Sequence, residues 1–258
     1  MKNLQDKKPK SSIKYGDCFI LGSHVLCCGD ARDKAIVEKV LNGQKIRCII
    51  TDVPYGIAYV ENKAGFKQKL GCEKEILNDQ EQSEDEYKEF TKKWLKLAVS
   101  FLEKKNSIYV FNSDRMIFAL RSGMIDAGYK FSQLLIWIKN QPVIGRLDYL
   151  PQHELIAYGW HGTHLFRKSK DKSLLFAPKP SKSKLHPTMK PMSLLRQIIL
   201  NATEIGDVVY DCFGGSGTAL LAAEQTKRKC CMIELDSEYC QTIIDRYESL
   251  TGNKAIKI

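Results

Sequence analysis

Short apolar, β-rich runs alternate with amphipathic helical stretches along most of this 258-residue chain, and that alternation restricts its fold more than any single motif. Strands separated by helices pack as a mostly parallel sheet with helices on both faces, so the fold class is α/β. Strands are expected at Cys18–Leu21, His24–Cys28, Arg47–Thr51, Ser107–Phe111, Phe131–Ile138, His153–Trp160, Val208–Tyr210 and Lys229–Ile233. Helices are expected at Lys34–Leu41, Glu86–Lys104, Arg115–Ala127, Ser193–Ala202, Thr218–Gln225 and Glu238–Leu250. The second of these carries apolar or aromatic residues at 87, 90, 94, 97, 98, 101 and 102, one continuous face. Glu61–Glu84 reads as a long surface loop and Gly162–Lys184 as loop or hairpin. Met1–Lys14 is polar and lysine-rich without the apolar centre of a secretion signal, and reads as a flexible basic tail ahead of a single domain over 15–258. No apolar run approaches the roughly 20 residues of a membrane span, so a cytoplasmic protein is expected.

The chain has 40 basic and 30 acidic side chains, a formal net charge of +10. Such a surplus favours a polyanionic partner, because neutralised phosphates release counterions. Lysines gather at 168, 170, 172, 179, 182 and 184, in a stretch of little periodicity; charge alone leaves a solvated loop and a phosphate contact equally open. The nine cysteines contain no CxxC pair and no metal-ligand spacing. Both adjacent pairs, Cys27–Cys28 and Cys230–Cys231, lie in apolar runs, so buried reduced thiols are expected and no metal.

Asp211-Cys212-Phe213-Gly214-Gly215-Ser216-Gly217-Thr218 joins a short apolar strand to an Ala/Leu-rich helix. Glycines at such a bend let backbone approach a ligand closely, and the helix start offers free N–H groups. The spacing is not GxGxxG and no GK[ST] follows, which disfavours nicotinamide and P-loop sites. Glu234 lies 20 residues beyond Gly214, where nucleoside-binding α/β units place an acid on the ribose hydroxyls. Asp236 competes for that role, but its place before the last helix reads as an N-cap. This half of the chain reads as a nucleoside site.

A second strand end carries Asp52-Val53-Pro54-Tyr55-Gly56. A carboxylate, a proline-held backbone and an aromatic ring just past a parallel strand suit an exocyclic amine on a flat base. Asp52 and the carbonyl of Val53 can accept the two amine hydrogens while Tyr55 stacks. Here the chain resembles the β-type DNA amino-methyltransferases (the N6-adenine/N4-cytosine family). Asp52–Tyr55 resembles their DPPY motif, Asp211–Gly217 their DPFGGSG cofactor loop, and His186-Pro187-Thr188-Met189-Lys190-Pro191 a third motif preceding that loop. Segments such as Leu134–Asn140, Gln152–Trp160 and Gly206–Glu234 resemble adenine-type methylases associated with ParB-like nuclease domains. Val53 replaces the first motif proline and Cys212 a proline of the cofactor loop. The carbonyl is kept at 53, and Pro54 still confines that residue to extended conformations.

The resemblance implies a Rossmann-like, mostly parallel seven-stranded sheet with permuted motif order, the catalytic motif ahead of the cofactor loop. It implies S-adenosyl-L-methionine as cofactor and double-stranded DNA as substrate, with the base flipped out and methylated at an exocyclic nitrogen. The leading acid points to N6 of adenine, since relatives acting on cytosine N4 more often carry serine there. Asp52, Val53, Pro54 and Tyr55 would form the catalytic set. Asp30 would meet the cofactor's adenine and Glu234 its ribose. His186, Thr188 and Lys190 would flank the methionine end, with Asp211 on its amino group and Phe213, Gly214, Gly215, Ser216 and Gly217 forming the loop. Residues 139–185 would contact DNA, through Lys179, Lys182 and Lys184. A second copy of the chain and a cognate restriction enzyme are partners the resemblance admits. N4-cytosine methylation, RNA methylation and a DNA-binding protein without activity stay open as alternatives.

Overall fold

A computed structural model describes residues 11–56, 80–143, 147–167, 171–178 and 189–258. The strands are β1 (Cys18–Leu21), β2 (His24–Cys28), β3 (Ile46–Asp52), β4 (Leu102–Asn112), β5 (Tyr129–Ile138), β6 (His153–His161), β7 (Thr163–His164), β8 (Leu174–Phe176), β9 (Val208–Asp211), β10 (Lys229–Glu234) and β11 (Ile256–Lys257). The helices are α1 (Lys34–Leu41), α2 (Glu84–Val99), α3 (Ile117–Asp126), α4 (Met192–Ala202), α5 (Thr218–Gln225) and α6 (Ser237–Thr251). All strands but β7 run in the order β11-β1-β2-β10-β9-β3-β4-β6-β5-β8; β7 adds to β4.

Neighbours from β2 through β10, β9 and β3 to β4 are parallel. Beyond them β6 runs antiparallel to both β4 and β5, and β1 antiparallel to β2 and β11. The sheet is therefore mixed and has 11 strands among the described residues, not the mostly parallel seven-stranded sheet expected. The three strands beyond the eight read from the sequence are short edge pieces, β7, β8 and β11, too brief to leave a periodic pattern.

Strand side chains alternate between two buried faces. Cys48, Ile50, Tyr109 and Phe111 join the core under α4, α5 and α6, with Leu194, Ile198, Ala222 and Ile243. Ile49, Ile108 and Val110 join the opposite core, with Val37 of α1, Trp94 of α2 and Leu120 of α3. Burial on both faces is why these central strands read as unbroken apolar runs. Ile13, at the end of the expected tail, is seated in the first core; residues 1–10 lie outside the described residues. Among the described residues no helix is long and apolar enough to cross a membrane.

Two expectations are corrected. The helix read as Glu86–Lys104 runs from Glu84 to Val99. It starts earlier because Ser83 and Glu86 form a reciprocal capping box, with acidic residues filling the first turn. It stops earlier because Leu102 pairs with Ile46, and sheet pairing overrides the continuing apolar pattern. The thiols of Cys18 and Cys27 are not free: the β1–β2 hairpin places them face to face, Cα–Cα 4.1 Å, and they form a disulfide. Cys28, Cys48, Cys212, Cys230, Cys231 and Cys240 are buried free thiols, and Cys72 lies outside the described residues.

Candidate active site

The parallel strands end on one side of the sheet, and one cleft opens there. It is lined by Asp30 after β2, Asp52–Tyr55 after β3, Asp211–Ser216 after β9, and Glu234 at the end of β10. Lys190 reaches it from the segment ahead of α4. Gly217 stands behind the lining as the N-cap of α5 at φ 78°, in the left-handed region. His186, Thr188, Lys179, Lys182 and Lys184 lie outside the described residues.

Close packing sets the path of the glycine loop. A Cβ on Gly214 would sit 2.8 Å from the Met232 side chain, and one on Gly217 2.8 Å from Ile243. The Gly214 amide donates to the Ile233 carbonyl at 2.9 Å, tying the loop to β10. Glu234 accepts from the Gly215 amide at 2.7 Å and the Asp236 amide at 2.8 Å, so its carboxylate is fixed under the loop. Asp236 caps α6 through the Glu238 and Tyr239 amides, the role expected of it. Asp211 accepts from the buried Thr51 hydroxyl at 2.7 Å and the Phe213 amide at 3.2 Å. Burial raises both cleft acids to about 7, opposed by those donors. Asp30 is gripped by Arg32, whose guanidinium lies 2.6 Å from Oδ2 and whose amide donates to Oδ1 at 2.7 Å. Phe213 packs its ring on Phe90 and Trp94 of α2.

At the other end, α2 secures the strand end that carries Asp52–Tyr55. The Tyr87 hydroxyl donates to the Pro54 carbonyl at 3.0 Å and accepts from Asn112 Nδ2 at 2.7 Å. Val53 is anchored in the core with its side chain buried. The Tyr55 hydroxyl lies 3.0 Å from Asp52 Oδ1 and 3.2 Å from Glu154 Oε2. Lys190 Nζ is 2.5 Å from Asp52 Oδ2 and 3.1 Å from Glu154 Oε2, and Lys139 Nζ is 2.9 Å from Glu154 Oε1. Two carboxylates and two ammonium groups thus form one chain. Burial works to raise Glu154, but Lys190 and Lys139 pull it down to about 2. Burial also opposes the Lys190 charge, yet Asp52 and Glu154 outweigh it and its pKa is raised. Asp52 moves the other way from Glu154: burial raises it, with Lys190 only partly offsetting.

A family model described as DNA methylase, N6_N4_Mtase, matches residues 46–175 and 160–245, a span holding both strand ends and the glycine loop. The chain belongs to this DNA methylase family. Among relatives of the methylase are the type II methyltransferases M2.DpnII of Streptococcus pneumoniae and M.HpaI of Haemophilus parainfluenzae. Each is 25% identical; the matches cover 66% and 82% of this chain and 71% of each relative. Among solved structures, an M1.HpyAVI–SAM complex has TM-score 0.62 at 25% identity, covering 86% of this chain and 98% of that one. PvuII DNA methyltransferase, described as cytosine-N4-specific, has TM-score 0.65 at 18% identity, covering 90% and 94%, a likeness of fold alone.

The structure brings together in one cleft every candidate residue of the methylase that it describes, with Gly217 immediately behind. It moves the emphasis for Lys190, which is bonded to Asp52 and Glu154. Thr51, Tyr87 and Arg32 received no role from sequence, and Lys139 and Glu154 were read only as part of the DNA-contacting segment 139–185, whereas both join the cluster around Lys190. The available signal was a charged residue at the end of an otherwise apolar strand, as in Trp137-Ile138-Lys139 and His153-Glu154-Leu155.

Proposed function

We propose that this methylase transfers a methyl group from S-adenosyl-L-methionine to an exocyclic amino nitrogen of a DNA base, N6 of adenine, with the base turned out of the duplex into the cleft. The observation that carries the reading is the sharing of one cleft by Asp52–Tyr55 with the glycine loop and Glu234. The order of those motifs, residues 52–55 before 211–217, supports the permuted β-type arrangement.

The cleft suits the cofactor. Its loop backbone is bare of side chains at Gly214 and Gly215, and Glu234 offers its carboxylate to the ribose hydroxyls. Asp211 accepts from the methionine amino group, and Asp30, after β2, faces the adenine. The cofactor, when bound, supplies a methyl on a sulfonium whose departing thioether is neutral, so the chemistry needs no metal. Asp52 and the Val53 carbonyl accept the target amine's hydrogens and turn its lone pair towards that methyl. Tyr55 stacks on the base. Tyr87 and Pro54 hold this loop still, and positioning with exclusion of water lowers the barrier.

Adenine rests on the acid at position 52, by resemblance to N6-acting relatives. Within the segment 139–185, β6 is paired on both sides inside the sheet, so Asn140–Tyr149 and Lys168–Lys184 would face DNA, with Lys179, Lys182 and Lys184 on phosphates. Nucleoside mass spectrometry on mixed-sequence DNA incubated with isotope-labelled cofactor tests the reading. Labelled N6-methyladenine is expected. Labelled N4-methylcytosine would change the target, and label appearing only in RNA would sink the DNA reading.

A further inference from the structure

In this structure the oxygen of Asp52 that should receive the target amine is already taken. Lys190 Nζ sits 2.5 Å from Oδ2, and the remaining oxygen receives the Tyr55 hydroxyl. An ammonium on a carboxylate mimics the hydrogen-bonding face of an incoming amino group and competes with it directly. The lysine cannot retreat to solvent without leaving a pocket in which its side chain is only 5% exposed. A second carboxylate is within its reach: Glu154 Oε2, 3.1 Å away. Glu154 is itself held in place, since Lys139 grips its other oxygen at 2.9 Å and the Tyr55 hydroxyl lies 3.2 Å from Oε2.

We propose that Glu154 is a positioning residue that takes over the Lys190 ammonium when the target amine enters, so that Asp52 is released to the base. This rests on the methylation reading above for what enters, but the handover itself is a property of the four side chains. Lys139 keeps the accepting carboxylate from following the lysine. The transfer keeps the ammonium paired with a carboxylate throughout and gives Asp52 the hydrogen bonds of the neutral amine in exchange, which matters because leaving a buried charge without a partner is strongly destabilising. The two carboxylates are matched to these parts: Glu154 is the firmly ionised one, while burial leaves Asp52 the weaker holder of the cation. Removing Glu154 takes away the second of the two carboxylates and leaves Asp52 to hold the ammonium, a lock in place of a relay.

Two measurements on the full chain test this. The first follows the Lys190 ammonium by nitrogen-15 NMR, assigned by its loss in Lys190→Arg. Asp52→Asn imitates an Asp52 whose charge is no longer available. The signal should stay protected from hydrogen exchange in that variant, because Glu154 retains the lysine, and vanish when Glu154→Gln is added. Loss of the signal in Asp52→Asn alone would overturn the handover. The second is kinetic. Glu154→Gln should lower kcat by about tenfold or more with KM for DNA changed by less than about threefold. Adding Lys190→Met to Glu154→Gln should recover part of that kcat, because the cation locking Asp52 is gone. A loss confined to KM, or no recovery in the double variant, would overturn the proposal. A wild-type chain that transfers no methyl group would instead overturn the methylation reading, and the NMR comparison would still decide the handover.

Discussion

Asp52 is a half-buried carboxylate and Glu234 a buried one, and their surroundings suit them to different tasks. In the proposed reaction Asp52 would face the reacting amine, where positive character grows as the methyl is transferred, so its value would be greatest in the transition state. Asp52→Ala should cut turnover by about a hundredfold or more while cofactor affinity, read by calorimetry, stays within a few-fold; an equal loss of both would place Asp52 in the cofactor site instead. Glu234 is the acid proposed for the ribose, and Glu234→Ala should weaken cofactor binding by about 1–3 kcal/mol. Its proton adds a second test. Burial raises its pKa from 4.5 to about 7, so the folded chain holds that proton more tightly than the unfolded one. The stabilisation is complete below 4.5 and lost as pH rises to about 7. Without cofactor, the wild type should therefore lose about 1–3 kcal/mol relative to Glu234→Gln across that window, measured by urea unfolding. A pH-independent difference would mean that Glu234 is ionised throughout.

Among the elements, the reversal of β6 has the largest consequence for the site. Because it runs against β4, its first residues lie where the parallel strands end, and this brings Glu154 to Asp52. Its register on β5 depends on Gly159, where a Cβ would lie 1.9 Å from the Lys130 carbonyl oxygen. Gly159→Ala must push the two strands apart, and should destabilise the chain by about 1–3 kcal/mol. It should also lower turnover, because β5 ends beside Lys139 and β6 begins beside Glu154; cofactor affinity, set across the sheet by Glu234, should be unchanged. Unfolding and calorimetry on the same variant check both halves. The sequence made the glycine loop, Asp52–Tyr55 and Glu234 legible because each is a local unit of strand, turn and fixed spacing. Glu154 and Lys139 were not legible, since their meeting depends on strand direction, which period-two patterning does not encode. The Cys18–Cys27 bridge escaped for a related reason: it needs the hairpin register, and cysteine spacing by itself pointed to free thiols.

For the molecule as a whole, a net charge of +10 coexists with a cleft cluster whose two carboxylates and two ammonium groups cancel. Salt should thus act on DNA docking rather than on capture of the neutral base. Neutralising Lys179, Lys182 and Lys184 together should flatten the log–log salt dependence of DNA affinity by about one unit for each phosphate left without its lysine. Weaker binding at an unaltered slope would assign these lysines to folding. The pairing of β2 with β10 bears on how the chain is made. It joins Cys28 to Glu234, and the His24 ring accepts from the Cys230 amide across 206 positions. At about 5–20 residues per second, the ribosome leaves β2 waiting tens of seconds for that neighbour, with one edge uncovered. Until β10 emerges, Glu234 is missing from the cleft it lines with Asp30, so cofactor bound as proposed could not stabilise a partly made chain. Protection during that interval falls to the β1–β2 hairpin and to whatever chaperone covers its open side.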